Sequence, residues 1–297
     1  MSNIRPVCFD EITGQSDVIG RLRVSVAGCK SASATLPHVL IDGPPGLGKT
    51  TVANAIAHEL GVNLYTTNAA NIRSVKNILP YLMNISRNSV LFIDEIHRLP
   101  KIVEEFLYPV MEDFVLNIIL DKEPEKIDIP PFTLVGATTS GGSLSQPFYD
   151  RFTIKEHLTF YSDNELAKLA GSNSIKMGIV IDDQGLLEIA KRSKGTPRIL
   201  NSRLLWYKNY KICNPLEDNY DVIFEAQGID NMGLDIYDRM YLDILRKSKG
   251  SPLGLKAISS MTGISIETIE NSIEPYMIRK GLVIRTSKGR ILSSLKI

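Results

Sequence analysis

A short apolar strand, Val39–Ile41, runs into GPPGLGKT, Gly43–Thr50, and then into a helical pattern of Val52, Ala53, Ile56, Ala57 and Leu60 that Gly61 stops. No other stretch narrows the possible folds as far. A triphosphate is gripped by backbone N–H groups, and only glycine lets a chain curl round an anion without a Cβ clash. Gly43, Gly46 and Gly48 meet that need. Lys49 follows to reach the β- and γ-phosphates, Thr50 offers a hydroxyl to Mg²⁺, and the first helical turn presents unpaired N–H groups. The pattern arises by chance in about one chain of this length in a hundred. Its position between strand and helix identifies a phosphate-binding loop for a nucleotide.

Strand and helix alternate around this loop, which predicts a parallel sheet. The spacing gives a lead-in helix over Asp17–Lys30, a strand over Asn63–Thr66, a helix over Ile72–Ile85 and buried strands over Val90–Ile93 and Thr133–Ala137. Asp94 and Glu95 end one buried strand, where ligands of open α/β sheets bind. Asp94 suits the Mg²⁺ shell and Glu95 suits the orientation of an attacking water. Thr138 and Thr139 end the other, with hydroxyls that reach toward the same phosphate or, alternatively, cap a helix.

The 297 residues are enough for two or three domains, and 43% of them are apolar. A net charge of +1 excludes a globally basic nucleic-acid binder, so any such contact rests on a local patch. Cys8, Cys29 and Cys213 are far apart and form no C-x-x-C, which implies neither disulfides nor a zinc site. His38, His58, His97 and His157 show no metal or triad spacing and read as structural. With no signal peptide and no apolar run of membrane-spanning length, a cytoplasmic protein without membrane contact is expected.

The alternation is expected to stop around Phe152–Phe160. Helices follow over Asp163–Lys176, Asp183–Ser193 and Pro197–Tyr210, the last begun by SKGTPR with Thr196 at the N-cap, Pro197 at N1 and Arg198 in the first turn. A cation at a helix N-terminus points to a nearby anion, or else to plain solvation. From Gly233 the pattern is three helices, Ile236–Lys247, Leu255–Thr262 and Ile266–Ser272, a break at Pro275 and a hairpin, Leu282–Thr286 and Arg290–Ser294. That is a winged-helix pattern. Acidic residues cease after Glu274, whereas Arg279, Lys280, Arg285, Lys288, Arg290 and Lys296 continue. Glu267, Glu270 and Glu274 on the last helix would repel phosphates, so DNA contact is expected on the wing.

GPPGLGKTT, LFIDEIHRL, FLYPVMEDF, IPPFTLVGATT, DRF, GTPR and EPYMIRKGLVIRTSKGR, in this order, resemble the RuvB family of AAA+ ATPases, motors of Holliday junction branch migration. The resemblance implies an α/β P-loop AAA+ core with a parallel sheet (1–158), a helical lid (159–230) and a C-terminal winged helix (231–297). It implies ATP and Mg²⁺ as cofactors, with Gly46, Gly48, Lys49, Thr50 and Thr51 in the P-loop, Asp94 and Glu95 as the Walker B pair and Thr139 as sensor 1. Arg151 matches the arginine finger that reaches a neighbour's ATP, and Arg198 the sensor 2 arginine. Ile4, Arg5, Glu112, Asp113, Phe114 and Tyr161 match positions around the nucleotide, while Arg285 and Arg290, with Lys288 between them, match the DNA-contacting wing.

The implied activity is ATP-driven translocation on double-stranded DNA at four-way junctions, by a homo-oligomer of hexameric-ring type, with RuvA and RuvC as partners. The alternative is a non-motor AAA+ switch of clamp-loader or initiator type. The sequence departs from the family in three places: Ser140 and Tyr149 replace arginines, and Leu116–Phe132, the stretch matching the RuvA-docking hairpin, is shorter.

Overall fold

Val90–Asp94 (β3) and Thr133–Thr138 (β6) are buried almost from end to end, as strands covered on both faces must be. They are the middle of a five-stranded sheet in the computed structural model, which describes residues 4–120 and 123–293. Ser294 and Lys296, counted above with the last strand and the basic residues of the wing, lie outside the described residues, as do Asp121 and Lys122 of the short hairpin. The order of the sheet is β2-β3-β6-β1-β7, all parallel, with β1 Val39–Asp42, β2 Leu64–Asn68 and β7 Ile154–His157. A hairpin of β4 (Val115–Leu120) and β5 (Glu123–Asp128) stands apart from it.

Helices α1 (Ser16–Ser31), α2 (Lys49–Leu60), α3 (Val75–Met83), α4 (Lys101–Glu112) and α5 (Gln146–Asp150) complete this first unit, which spans 3–160. In α1 the buried residues are Val18, Ile19, Leu22 and Val26, the stripe seen in the sequence. Two expectations change. Helix α3 begins three residues late because the Asn77 side chain accepts from the Ser74 N–H and caps it there. The alternation also does not stop at Phe152, since β7 pairs in parallel with β1. Its IKEH sequence is polar because it lies at the edge of the sheet, where only Glu156 is buried.

The second unit, from Tyr161 onward, is described by itself. Helices α6 (Asp163–Met177), α7 (Asp183–Lys191), α8 (Pro197–Cys213) and α9 (Tyr220–Glu225) come first. A winged helix follows, with α10 (Ile236–Lys247), α11 (Leu255–Thr262), α12 (Ile266–Thr268), α13 (Glu274–Arg279), β8 (Val283–Thr286) and β9 (Gly289–Leu292). Pro275 does not break the last helix. A π turn over Ile269–Ile273 joins α12 to α13, and this wider turn absorbs the hydrogen bond that proline cannot donate.

Two buried ion pairs hold this unit. Lys194, in the turn between α7 and α8, is 6% exposed and bonds Asp235 and the fully buried Asp238 at the start of α10. Burial raises the Asp238 carboxyl despite the pull of Lys194. Arg279 on α13 donates to the Lys194 carbonyl at 2.9 Å. The second pair removes Glu274 from the expected acidic face of the last helix, on which Glu267 and Glu270 remain exposed. Glu274 is fully buried, accepting from Tyr241 Oη at 2.9 Å, from Arg290 Nε at 2.7 Å and from Arg285. Burial alone would raise its carboxyl, but the hydrogen bonds from the two arginines and Tyr241 outweigh it and hold the group below the usual range.

Replacing Lys194 by Met strips the Asp238 carboxylate of its cation, and should lower the stability of this unit by about 3–5 kcal/mol. A denaturant titration reads the loss, and adding Asp238→Asn should recover part of it. A group whose folded pKa is depressed stabilises above its unfolded pKa and loses that contribution in acid. Glu274→Gln should therefore melt below the wild type at pH 7, and the gap should close as the pH falls through and below about 4.3.

Candidate functional site

The loop after β1 has the conformation that its glycines permit. Gly43, Gly46 and Gly48 have φ of 143°, 81° and 103°, and a Cβ on Gly43 would stand 2.5 Å from the Leu158 carbonyl oxygen. Gly48 precedes the first turn of α2, so the N–H groups of Lys49, Thr50 and Thr51 open toward the loop. The Lys49 ammonium is 7% exposed and donates to the Gly43 and Pro44 carbonyls at 2.7 and 3.0 Å, so the loop itself holds the charge in place.

The strand order decides what stands beside it. Because β6 lies between β1 and β3, its end falls between the loop after β1 and the carboxylates after β3. Thr139 Oγ1 donates to Glu95 Oε2 at 3.1 Å, and the Asp94 carboxylate accepts from the Glu95 N–H at 3.0 Å. Glu95 has a left-handed backbone, φ 50° and ψ 45°, an uncommon conformation for a side chain of this kind. Beside it is a residue that spacing alone assigned to structure. His97 Nδ1 lies 2.9 Å from Thr138 Oγ1 and 3.4 Å from Glu95 Oε2. His38, in contrast, is structural as read: Nδ1 accepts from the Leu134 N–H, Nε2 meets the Met111 carbonyl, and burial lowers its pKa.

Lys49, Thr50, Thr51, Asp94, Glu95 and Thr139 thus gather at the C-terminal edge of the sheet. Glu112, Asp113, Phe114 and Arg151 do not join them. Helix α4 runs back from that edge, and Glu112 with Phe114 lines a cavity of about 460 Å³ together with His38, Pro131, Arg151 and Thr153, residues just before β1, β6 and β7. This is the opposite, N-terminal edge, about 13 Å away along a four-residue strand. There the Arg151 guanidinium lies 4.1 Å from the centre of the Tyr108 ring and 3.1 Å from Glu112, and Nη1 donates to the Pro147 carbonyl at 2.6 Å. Its Nε is buried without a partner among the described residues.

Ile4 is half-buried and Arg5 exposed at the start of the described chain. Tyr161, buried in the second unit, donates its N–H to the Gly195 carbonyl at 3.0 Å. Arg198 is exposed in the first turn of α8 and makes no ion pair among the described residues. On the wing, Lys288 is exposed and the Arg285 side chain is half-exposed, but Arg290 is 13% exposed and spent on Glu274 and Glu270.

The donor set fits Mg²⁺ in a nucleotide site. No cluster of three or more metal-ligating His, Cys, Asp or Glu side chains occurs among the described residues. Magnesium bound with a triphosphate needs none, since it takes one or two protein oxygens and keeps phosphate and water for the rest. The Thr50 hydroxyl and the Asp94 carboxylate are the oxygens at this edge that would suit it. No helix among the described residues is long and apolar enough to cross a membrane.

Known proteins with this geometry are found along the whole chain. Residues 4–158 match the Holliday junction DNA helicase RuvB P-loop domain, 161–211 the RuvB AAA lid domain and 231–296 the RuvB C-terminal winged helix domain. The Holliday junction branch migration complex subunit RuvB of Rhodopirellula baltica is 43% identical, covering 97% of this chain and 81% of its own. That of Campylobacter hominis is 42% identical over 99% and 88%. The solved Thermotoga maritima RuvB Holliday junction branch migration motor superposes with a TM-score of 0.88 at 39% identity, covering 98% of this chain and 96% of its own. With its P-loop sheet, lid and winged helix all matched in order, the chain belongs to the RuvB family.

Proposed function

We propose that the chain is an ATP-driven DNA translocase that promotes branch migration at four-way junctions, acting as a homo-oligomeric ring, six-membered by resemblance. The observation that carries this reading is the placement of Arg151 and the phosphate loop on opposite edges of one sheet. One copy cannot bring its own arginine to its own γ-phosphate, so a complete hydrolytic site takes residues from two. A cytoplasmic setting and partners of the RuvA and RuvC kind follow from the resemblance, and the short β4–β5 hairpin is where a RuvA-like partner would dock.

The residues then have separate tasks. The loop N–H groups and Lys49 bind the β- and γ-phosphates. Glu95 takes a proton from the attacking water, and the Thr139 hydroxyl fixes the carboxylate that does so. Bound Mg²⁺, held by Thr50 and Asp94, would neutralise charge developing on the phosphates. A neighbour's Arg151 adds a cationic donor that water cannot replace in a closed site, and Arg198 is the arginine that the resemblance makes sensor 2. Glu112, Asp113 and Phe114 belong to the edge that a neighbour would present, and Ile4, Arg5 and Tyr161 match, by the resemblance, positions around the nucleotide.

Trans action is tested by mixing. Arg151→Ala and Lys49→Ala subunits should each be inactive, and mixed rings should recover part of the hydrolysis through hybrid interfaces, since such fingers contribute about 10³–10⁵ in rate. Mixed rings as inactive as either parent would remove the finger assignment.

DNA contact falls to the outward cations of the wing. Arg285→Ala with Lys288→Ala should flatten the dependence of log affinity on log salt by about 2 per bound subunit, with ATP binding intact. Arg290→Ala, which removes the more deeply buried of the two guanidiniums on Glu274, should lower the melting temperature of the winged helix more than Arg285→Ala does.

A further inference from the structure

We infer that His97 is a positioning residue for Glu95, acting through Nδ1 by occupying the Thr138 hydroxyl. The inference rests on the reading of Glu95 as the base. Thr138 ends β6 and Thr139 follows it; the hydroxyl of Thr139 meets the Glu95 carboxylate directly, whereas that of Thr138 is joined to it through His97. Thr139 Oγ1 donates to Glu95 Oε2 at 3.1 Å. Thr138 is fully buried, and its Oγ1 already accepts the Ser140 N–H at 3.0 Å, so its own proton needs an acceptor. His97 Nδ1 lies at 2.9 Å and accepts that proton in the tautomer that carries its own hydrogen on Nε2.

With the Thr138 proton committed to the imidazole, Thr139 is the hydroxyl left to hold Glu95. One carboxylate oxygen is then fixed, and the other, without a protein partner among the described residues, is available to water. The ring stands between the two groups, 2.9 Å from Thr138 Oγ1 and 3.4 Å from Glu95 Oε2, so without it the buried Thr138 proton loses its acceptor and the carboxylate loses the side chain that separates it from Thr138. The carboxylate would turn from the water toward β6. The polar partners of the ring, Thr138 and Glu95, lie outside the phosphate loop, so binding should not change.

Steady-state ATPase and nucleotide affinity of His97→Ala, His97→Asn and His97→Gln test this. An amide oxygen of Asn reaches the place of Nδ1, whereas that of Gln overshoots it. A misplaced general base forfeits part of a contribution of about 10²–10⁴-fold, so His97→Ala should lose about tenfold or more in kcat with ATP affinity held. Asn should restore most of the loss and Gln little. Thr138→Val, which removes the competing hydroxyl, should restore part of kcat in the His97→Ala background even if that variant melts lower. Unchanged kcat in His97→Ala, equal rescue by Asn and Gln, no rescue by either Asn or Thr138→Val, or a joint loss of kcat and affinity would overturn the proposal. Glu95→Gln is the control: if it turns over normally, the reading of the base fails, whereas an inactive Glu95→Gln beside a normal His97→Ala removes only the role of His97.

Discussion

A parallel sheet buried on both faces ends every strand on the same edge, and the rest of the first unit follows from that constraint. Its backbone groups are paired within the sheet, so chemistry is left to whatever leaves the strand ends. What leaves the C-terminal ends of β1, β3 and β6 is the glycine loop, Asp94 with Glu95, and Thr139. What gathers before the N-terminal ends is Phe114, Arg151 and Thr153. The separation of the two sets is therefore a property of the topology, and it does not depend on the orientation of any single side chain.

The second unit is specified differently, by buried charge. A buried ion pair adds little net stability, because desolvation costs about as much as attraction returns, but removing one partner is severe. Lys194 with Asp238, and Glu274 with Arg290, each join segments far apart in sequence. The turn that carries Lys194 also begins the helix that carries Arg198. Helix α8 and α10 cannot part at this point without leaving the Asp238 carboxylate buried and alone.

Much of the core was legible because continuous apolar runs and glycine spacing are local signals. β1, β3 and β6 lie within a residue of their sequence assignments, and the loop glycines have the positive φ that their role required. β7 was not legible, since an edge strand with Lys155, Glu156 and His157 lacks the apolar run that marks its neighbours. Nor was the environment of Glu274. A carboxylate on a helix reads as solvent-facing, and partners 11 and 16 residues further on give no periodic signal. Among site residues, His97 was passed over because its role comes from Thr138, 41 positions away on another strand. Relations between strand ends exist only once the strand order is known.

Under the proposed reading, the environment of Arg151 ties assembly to chemistry. A guanidinium has five donors in a rigid fork, and here the ring of Tyr108, Glu112 and the Pro147 carbonyl satisfy it only in part, with Nε buried and unpaired among the described residues. An unmet buried donor costs about 1–3 kcal/mol. A neighbour's phosphate oxygens would provide the acceptors that this edge lacks, so part of the free energy of closing an interface would appear only when nucleotide is present. Tyr149 places an aromatic ring 4.2 Å from the Lys155 ammonium. That cation–π contact engages Lys155, and the proposed reading leaves Arg151 as the cation that would reach across. Under the proposed reading, nucleotide binding and ring closure are then not successive events but two descriptions of one set of contacts.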